Sequence, residues 1–231
     1  MGLEILRKLL NIIPSWGIHI ERSLVALDLM DRKKSLILDI GCGNGGFSSK
    51  LVNYGKKVVG IDLIKKRPKG NFLYVIGRAE QLPFRDNIFE QIFCLDVIEH
   101  VKNDLSVAKE TNRILEDDGK LIITTPSNFW KFPYYSFMKK ITHNEKKLRK
   151  KFGHVRKGYS LGQIKNLFKS LKIEEVEYFC NEKSAFGYDI EFSRLYGIEN
   201  IILKFLGFFL FLNFKLSTKK HGTHIGVRLG K

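Results

Sequence analysis

The stretch LILDIGCGNGGF, residues 36–47, constrains this chain more than any other part of it. A short apolar run breaks into glycines, and a strand that is apolar on both faces belongs inside a parallel sheet. The glycines spell two patterns at once. Gly41, Gly43 and Gly46 give G-x-G-x-x-G, while Gly41, Gly43 and Gly45 give G-x-G-x-G. Either lets the backbone approach a ligand closely where a helix begins. The glycines alone do not say which ligand.

The neighbours narrow it. Asp39 lies two residues before the first glycine. A carboxylate there repels a diphosphate and suits a ligand bearing an ammonium and a sulfonium, because opposite charges attract best in a partly dry cleft. Asp62 closes VVGID, roughly 20 positions past the glycines, where an acidic residue can accept both hydroxyls of a ribose. That points to an adenosine-type ligand without separating a dinucleotide from a sulfonium compound.

Along the chain, periodicity predicts a helix over ERSLVALDLM, then alternating elements. Strands are expected at SLILDIG, KVVGID, NFLYVIG, EQIFCLD and KLIITTP, with helices over GGFSSKLVNYG and DLSVAKETNRIL. The last of these is expected to stop at Asp117-Asp118-Gly119. Ser160 and Gln163 form a capping-box signature for the helix LGQIKNLFKSL. KIEEVEYF and THIGVRLG read as two late strands. The expected fold is α/β: a Rossmann-like doubly wound sheet, mostly parallel with an antiparallel last strand, helices on both faces, ligand at the strands' carboxyl ends.

With 231 residues, 44% of them hydrophobic, the chain can bury a substantial core. One domain over 35–231 is expected, preceded by a helical segment over 1–34. It carries a basic and aromatic insert over 127–158, of little regular pattern, and a Phe-rich helical insert over 181–218. Residues 3–10 are amphipathic, and Pro14 ends or kinks that segment. Three widely spaced cysteines offer no disulfide framework or zinc pattern. The run IILKFLGFFLFLNF, residues 201–214, is too short to span a bilayer. No signal peptide is visible. A cytoplasmic location, extending to peripheral contact at the inner membrane face, is expected.

GRAEQLPFRDNIFEQIFCLDVIEHV resembles the central segment of class I S-adenosylmethionine (SAM) dependent methyltransferases of the type 11, quinone-pathway-like group. NRILEDDGKLIITTPS resembles the group's next block, and GHVRKGYSLGQIKNLFKSLKI its later His-x-Arg-x-x-Tyr-Ser lid and helix. The resemblance implies SAM as cofactor. It places Asp39, Gly41, Cys42, Gly43 and Gly45 against the methionine moiety and Asp62 on the ribose. Leu63, Ala79 and Glu80 fall to the adenine, and Asp96 with Val97 to the floor beneath the sulfonium. Cys42 reads as lining the turn, since no nearby Lys or Arg would activate it.

Methyl transfer is an in-line displacement that needs positioning and, for some acceptors, a base. His100, in DVIEHV, is the candidate base; the competing reading has it packing the next helix. His154, Arg156 and Tyr159 would shape the lid, with His154 a weaker catalytic candidate. Asp96, Glu99 and His100 resemble the E-x-x-E-H site of quinone-pathway O-methyltransferases, where a divalent metal is implied, but Asp96 departs from it and no metal is expected.

The formal charge of +16 admits several partners. The expected acceptor is a small, hydrophobic or lipid-like molecule, with an anionic membrane surface as a partner. Two alternatives stand beside it: an RNA (tRNA) methyltransferase gripping phosphates through KKITHNEKKLRKKFGHVRK, and a non-catalytic SAM-binding protein.

Overall fold

In the computed structural model, LILDI forms β1 (Leu36–Ile40), four of its five residues buried. Residues 18–65, 67–68, 70–142, 145–191 and 220–231 are described. The amphipathic segment 3–10, Pro14 and the Phe-rich run 201–214 lie outside them.

The other strands are β2 (Lys57–Asp62), β3 (Leu73–Ile76), β4 (Phe89–Leu95), β5 (Leu115–Pro126), β6 (Lys172–Phe179) and β7 (His224–Gly230). They form one sheet in the order β3-β2-β1-β4-β5-β7-β6. β1 pairs in parallel with both β2 and β4, whereas β7 runs antiparallel between β5 and β6. This is the expected Rossmann-like topology, and its order reverses between β1 and β4. A crevice opens there, at the carboxyl ends of the strands.

Alternation along the strands sorts the core onto two faces. Leu38 and Ile40 pack with Val107, Ala108 and Ile164, from α3 (Asp104–Ile114) and α5 (Leu161–Leu167). Ile37 faces the other way, toward Val25 and Leu29 of α1 (Ile18–Asp28) and Phe47 and Leu51 of α2 (Gly46–Asn53). The period of two in LILDI therefore sends Asp39 to the α2 side. Beside α2, the Phe72 ring lies close against backbone: Cβ atoms built on Gly45 and Gly60 would come within 2.6 and 2.8 Å of it.

Two local expectations are corrected. α3 ends at Ile114, not at Asp117-Asp118-Gly119. Leu115 is already extended and fully buried, pairing with Phe89, and Gly119 lies within β5. Burial of Leu115 ends the helix before the glycine is reached. The insert 127–158 is also more regular than expected. It holds a 3-10 turn (Ser136–Lys140) and the basic helix α4 (Glu145–Phe152), whose Leu148 is buried with Trp130 and Phe132. Two apolar residues, Leu148 and Phe152, among five basic ones are too sparse a pattern to read as a period. α6 (Glu182–Glu191) follows β6. The capping box forms in full, with both Ser160–Gln163 hydrogen bonds present.

Candidate active site

The turn after β1 answers the question its glycines raise. Gly41, Gly43 and Gly45 all have left-handed φ, at 71°, 55° and 78°, whereas Gly46 is the first residue of α2. The conformation thus follows G-x-G-x-G, the glycines marking the three residues whose backbone an ordinary side chain would strain. At Gly41 a Cβ would also collide with Val97, so the residue after Asp96 closes down on the turn. At Gly43 a Cβ would meet no atom within 4 Å. That open space forms a cradle beside the half-buried backbone of Gly43.

Two carboxylates hold the cradle. Asp62 Oδ2 accepts the Gly43 N–H at 2.8 Å, and its other oxygen accepts the Ile64 N–H at 3.1 Å. Asp39 is 2% exposed and accepts the Ser48 hydroxyl at 2.6 Å. Burial pushes its carboxyl up to about 6, with the Ser48 bond and Arg22 opposing and Asp62 adding to the rise. Cys42 is buried, and desolvation with the charges of Asp39 and Asp62 pushes its thiol up to about 12. It lines the turn as an inert group.

Leu63 and Ile64 are exposed beside Asp62, at the tip of β2. Ala79 and Glu80 occupy the tight turn after β3, where Arg78 stands 4.0 Å from the Glu80 carboxylate. The residues expected around an adenosine-type ligand therefore fall at the carboxyl ends of β1 to β4 or on the loops that follow.

Asp96 follows β4 in a left-handed conformation, φ 54°. Thr124 holds it there: the Asp96 N–H donates to the Thr124 carbonyl, and the Thr124 hydroxyl donates to Oδ1, both at 2.9 Å. Arg22 of α1 pairs with the remaining oxygen at 3.1 Å. Burial works against the charge, yet Arg22, His224 and Thr124 outweigh it and hold the carboxyl below its usual range. Sequence reasoning missed Arg22. Its signal was present: Arg22 shares the helical stripe of Val25, Ala26 and Leu29, a charge on a buried face.

Beyond Asp96, the Ile98–His100 turn and the GHVRKGYS loop meet. Arg156 donates to the carbonyls of Ile98, Val101 and Lys102, and Tyr159 Oη donates to Asp104 at 2.8 Å. The loop expected as a lid is thus fastened to the EHV turn. It brings His154 edge-to-face onto His100, ring centroids 4.7 Å apart. Burial, with His100 adding, pulls His154 down to about 4, so the imidazole is neutral. Its Nδ1 is buried with no hydrogen-bond partner among the described residues. Glu99 is 1% exposed, accepts the Thr125 hydroxyl at 3.1 Å and lies 3.9 Å from His100 Nε2. Burial, then the charge of Asp96, raises it well above the carboxylate range.

Donor atoms of Glu99, His100 and His154 lie within 4.8 Å of one another, residue types able to hold a divalent cation. The set differs from the D-x-x-E-H of the sequence, because Arg22 and Thr124 occupy Asp96. The Glu99 carboxyl, raised by burial and by the charge of Asp96, holds a proton more tightly than an ordinary carboxyl, and a cation would have to compete with it. The arrangement fits proton handling better than a resident metal.

Residues 38–123 match the family model described as a methyltransferase domain. Over this stretch the chain is similar to methyltransferase domains of the type 11 group. Members of this group use SAM as methyl donor, and the open cradle at Gly43 between Asp39 and Asp62 fits a positively charged adenosine derivative. Among sequence relatives, an uncharacterized protein of Methanocaldococcus jannaschii is 36% identical over 104 residues, 45% of this chain and 46% of that one. A tRNA U34 carboxymethyltransferase of Campylobacter curvus is 31% identical over 48% of this chain and 40% of its own. A ubiquinone biosynthesis O-methyltransferase of Xanthomonas oryzae is 26% identical over 42% and 45%. The matched stretch spans less than half the length of each. A putative sarcosine dimethylglycine methyltransferase from Galdieria sulphuraria shares the methyltransferase fold at TM-score 0.60 and 18% identity, covering 91% of this chain and 84% of that structure. No helix among the described residues is long and apolar enough to cross a membrane.

Proposed function

We propose that this methyltransferase moves the methyl group of SAM to a small, hydrophobic or lipid-like acceptor by in-line displacement. The reading is supported by two imidazoles, His100 on the turn after Asp96 and His154 on the loop fastened to it, which pack together beyond the same carboxyl-end edge of the sheet as Asp39, Gly43 and Asp62. SAM, when bound, supplies an electrophilic methyl group on a sulfonium. Asp39 orients the ammonium end, and Asp62 accepts the ribose hydroxyls. Leu63 covers the adenine, with the Ala79 and Glu80 backbone at its edge. Asp96 and Val97 floor the pocket below the methyl group. His100, the more exposed imidazole, takes the acceptor's proton, and His154 packs its ring in place.

The second reading is an RNA acceptor. It is favoured by the likeness to the Campylobacter curvus tRNA enzyme and by the exposed lysines of α4. Incubation with methyl-labelled SAM and fractionated extract separates the readings: label entering the lipid or small-molecule fraction is expected. Label in RNA overturns the acceptor class. S-adenosylhomocysteine that forms no faster with extract than without it overturns catalysis altogether.

A further inference from the structure

The insert between β5 and α5 carries a surface that neither the fold nor the site uses. In the 3-10 turn Ser136–Lys140, Met138 is buried while Phe137 stands 67% exposed, with Lys139 and Lys140 exposed after it. Phe129, from the same insert, is 66% exposed. Large rings left in water this far cost free energy unless something covers them.

Their exposure is built in. Asp189 of α6, fully buried, accepts the backbone N–H of Tyr134 at 2.7 Å and of Tyr135 at 2.8 Å. The Tyr135 hydroxyl donates to the Glu182 carbonyl at 3.1 Å. From that base Phe137 reaches out at the edge of a ring cluster, its centroid 5.7 Å from Tyr135 and 6.2 Å from Phe186. Lys131 lies over the Tyr134 ring, 4.3 Å from its centroid. The result is hydrocarbon at the tip and ammonium groups around it.

We infer that this face docks the enzyme on a bilayer surface bearing anionic headgroups, with Phe137 entering the boundary between headgroups and acyl chains and Lys139 and Lys140 meeting the negative surface. Charge complementarity carries the choice of occupant: the lysines flank the exposed ring, and the chain as a whole is +16. A nucleic acid is the other occupant that a basic face with exposed rings could take, and it is an outcome of the test below. In sequence, α6 also leads on toward the apolar run 201–214. The inference rests on the lipid-like acceptor reading for its purpose, since such an acceptor would be reached from the bilayer.

Vesicle flotation tests it. The full chain should float with phosphatidylcholine vesicles containing phosphatidylglycerol at low salt, fall away at high salt, and ignore phosphatidylcholine alone. Phe137→Ser and the double change Lys139→Glu/Lys140→Glu should each weaken partition about tenfold. SAM affinity by calorimetry should stay at the parent value in both, which reports an intact fold, and the lysine pair is fully on the surface. Flotation untouched by both variants overturns the proposal, as does equal binding to neutral vesicles. So does a result in which the variants lose RNA on a filter while no form binds vesicles. Docking and acceptor class separate cleanly: a chain that floats through Phe137 but labels RNA keeps the surface and loses the acceptor reading, and one that labels lipid without floating does the reverse.

Discussion

The Gly43 backbone N–H donates to the Asp62 carboxylate at 2.8 Å, which makes the middle glycine of the β1 turn and the acidic tip of β2 a single unit. Asp62 therefore both shapes the cradle and offers it a charge. Replacing it with alanine removes a charge-assisted bond to the turn and the proposed bonds to ribose, each of about 1.5–3 kcal/mol. SAM affinity should fall by at least about tenfold in calorimetry. Parent-like binding by Asp62→Ala would show the ribose to be placed wrongly.

Gly43→Val separates fold from ligand. No atom stands within 4 Å of a Cβ there, so the stability cost comes chiefly from the left-handed φ of 55°, about 1–2 kcal/mol. The melting temperature should drop modestly while SAM binding disappears, because the valine fills the cradle. Undiminished SAM binding would mean that the open space serves no ligand.

Asp39 sets a pH dependence. Its carboxyl is raised to about 6, so ionising it costs the free protein stability as pH climbs from the ordinary carboxylate range through that value. A cationic ligand favours the ionised form, hence binding strengthens over the same range. Between pH 7 and pH 5 SAM affinity should weaken about tenfold. Asp39→Asn should flatten the profile, and a parent profile that is already flat would remove Asp39 from the ammonium.

His100→Ala should lower kcat by about 10²- to 10⁴-fold with SAM affinity unchanged, the range expected for loss of a positioned base. Chelator treatment should leave turnover intact. Turnover that a divalent metal restores would instead make Glu99, His100 and His154 a metal centre.

Arg22→Gln strips Asp96 of its cation. Loss of a charged hydrogen bond costs about 1.5–3 kcal/mol, read as a fall of about 2–4 °C in melting temperature for each kcal/mol. SAM binding should weaken with it, since Asp96 is then held by Thr124 alone. A variant as stable as the parent would show that the pair contributes nothing.

The sheet was legible because its strands announce themselves. KVVGID and KIEEVEYF coincide with β2 and β6 to the residue, each being a β-rich run closed by a turn. The glycine turn and Asp62 were legible from spacing along a single βαβ unit. What spacing could not reach are pairs made by the fold. Arg22 and Asp96 are 74 positions apart, and His100 meets His154 where Arg156, Tyr159 and the Val155 N–H, which donates to the Glu99 carbonyl at 2.9 Å, fasten the loop to the EHV turn. The end of α3 was misread for a related reason: a local stop at Gly119 lost to the burial of Leu115, which is a property of the whole core.

The Phe72 ring, lying against the glycine backbone at both Gly45 and Gly60, also bears on how the sequence can vary. A methyl group added at either place must displace the same ring. The first such change evicts it, and the second then enters ground already vacated. The share of the cost that comes from the ring should accordingly be felt once rather than twice, while the left-handed φ at Gly45 and the Cys42 sulfur against Gly60 keep costs of their own, so single changes sum to more than the pair.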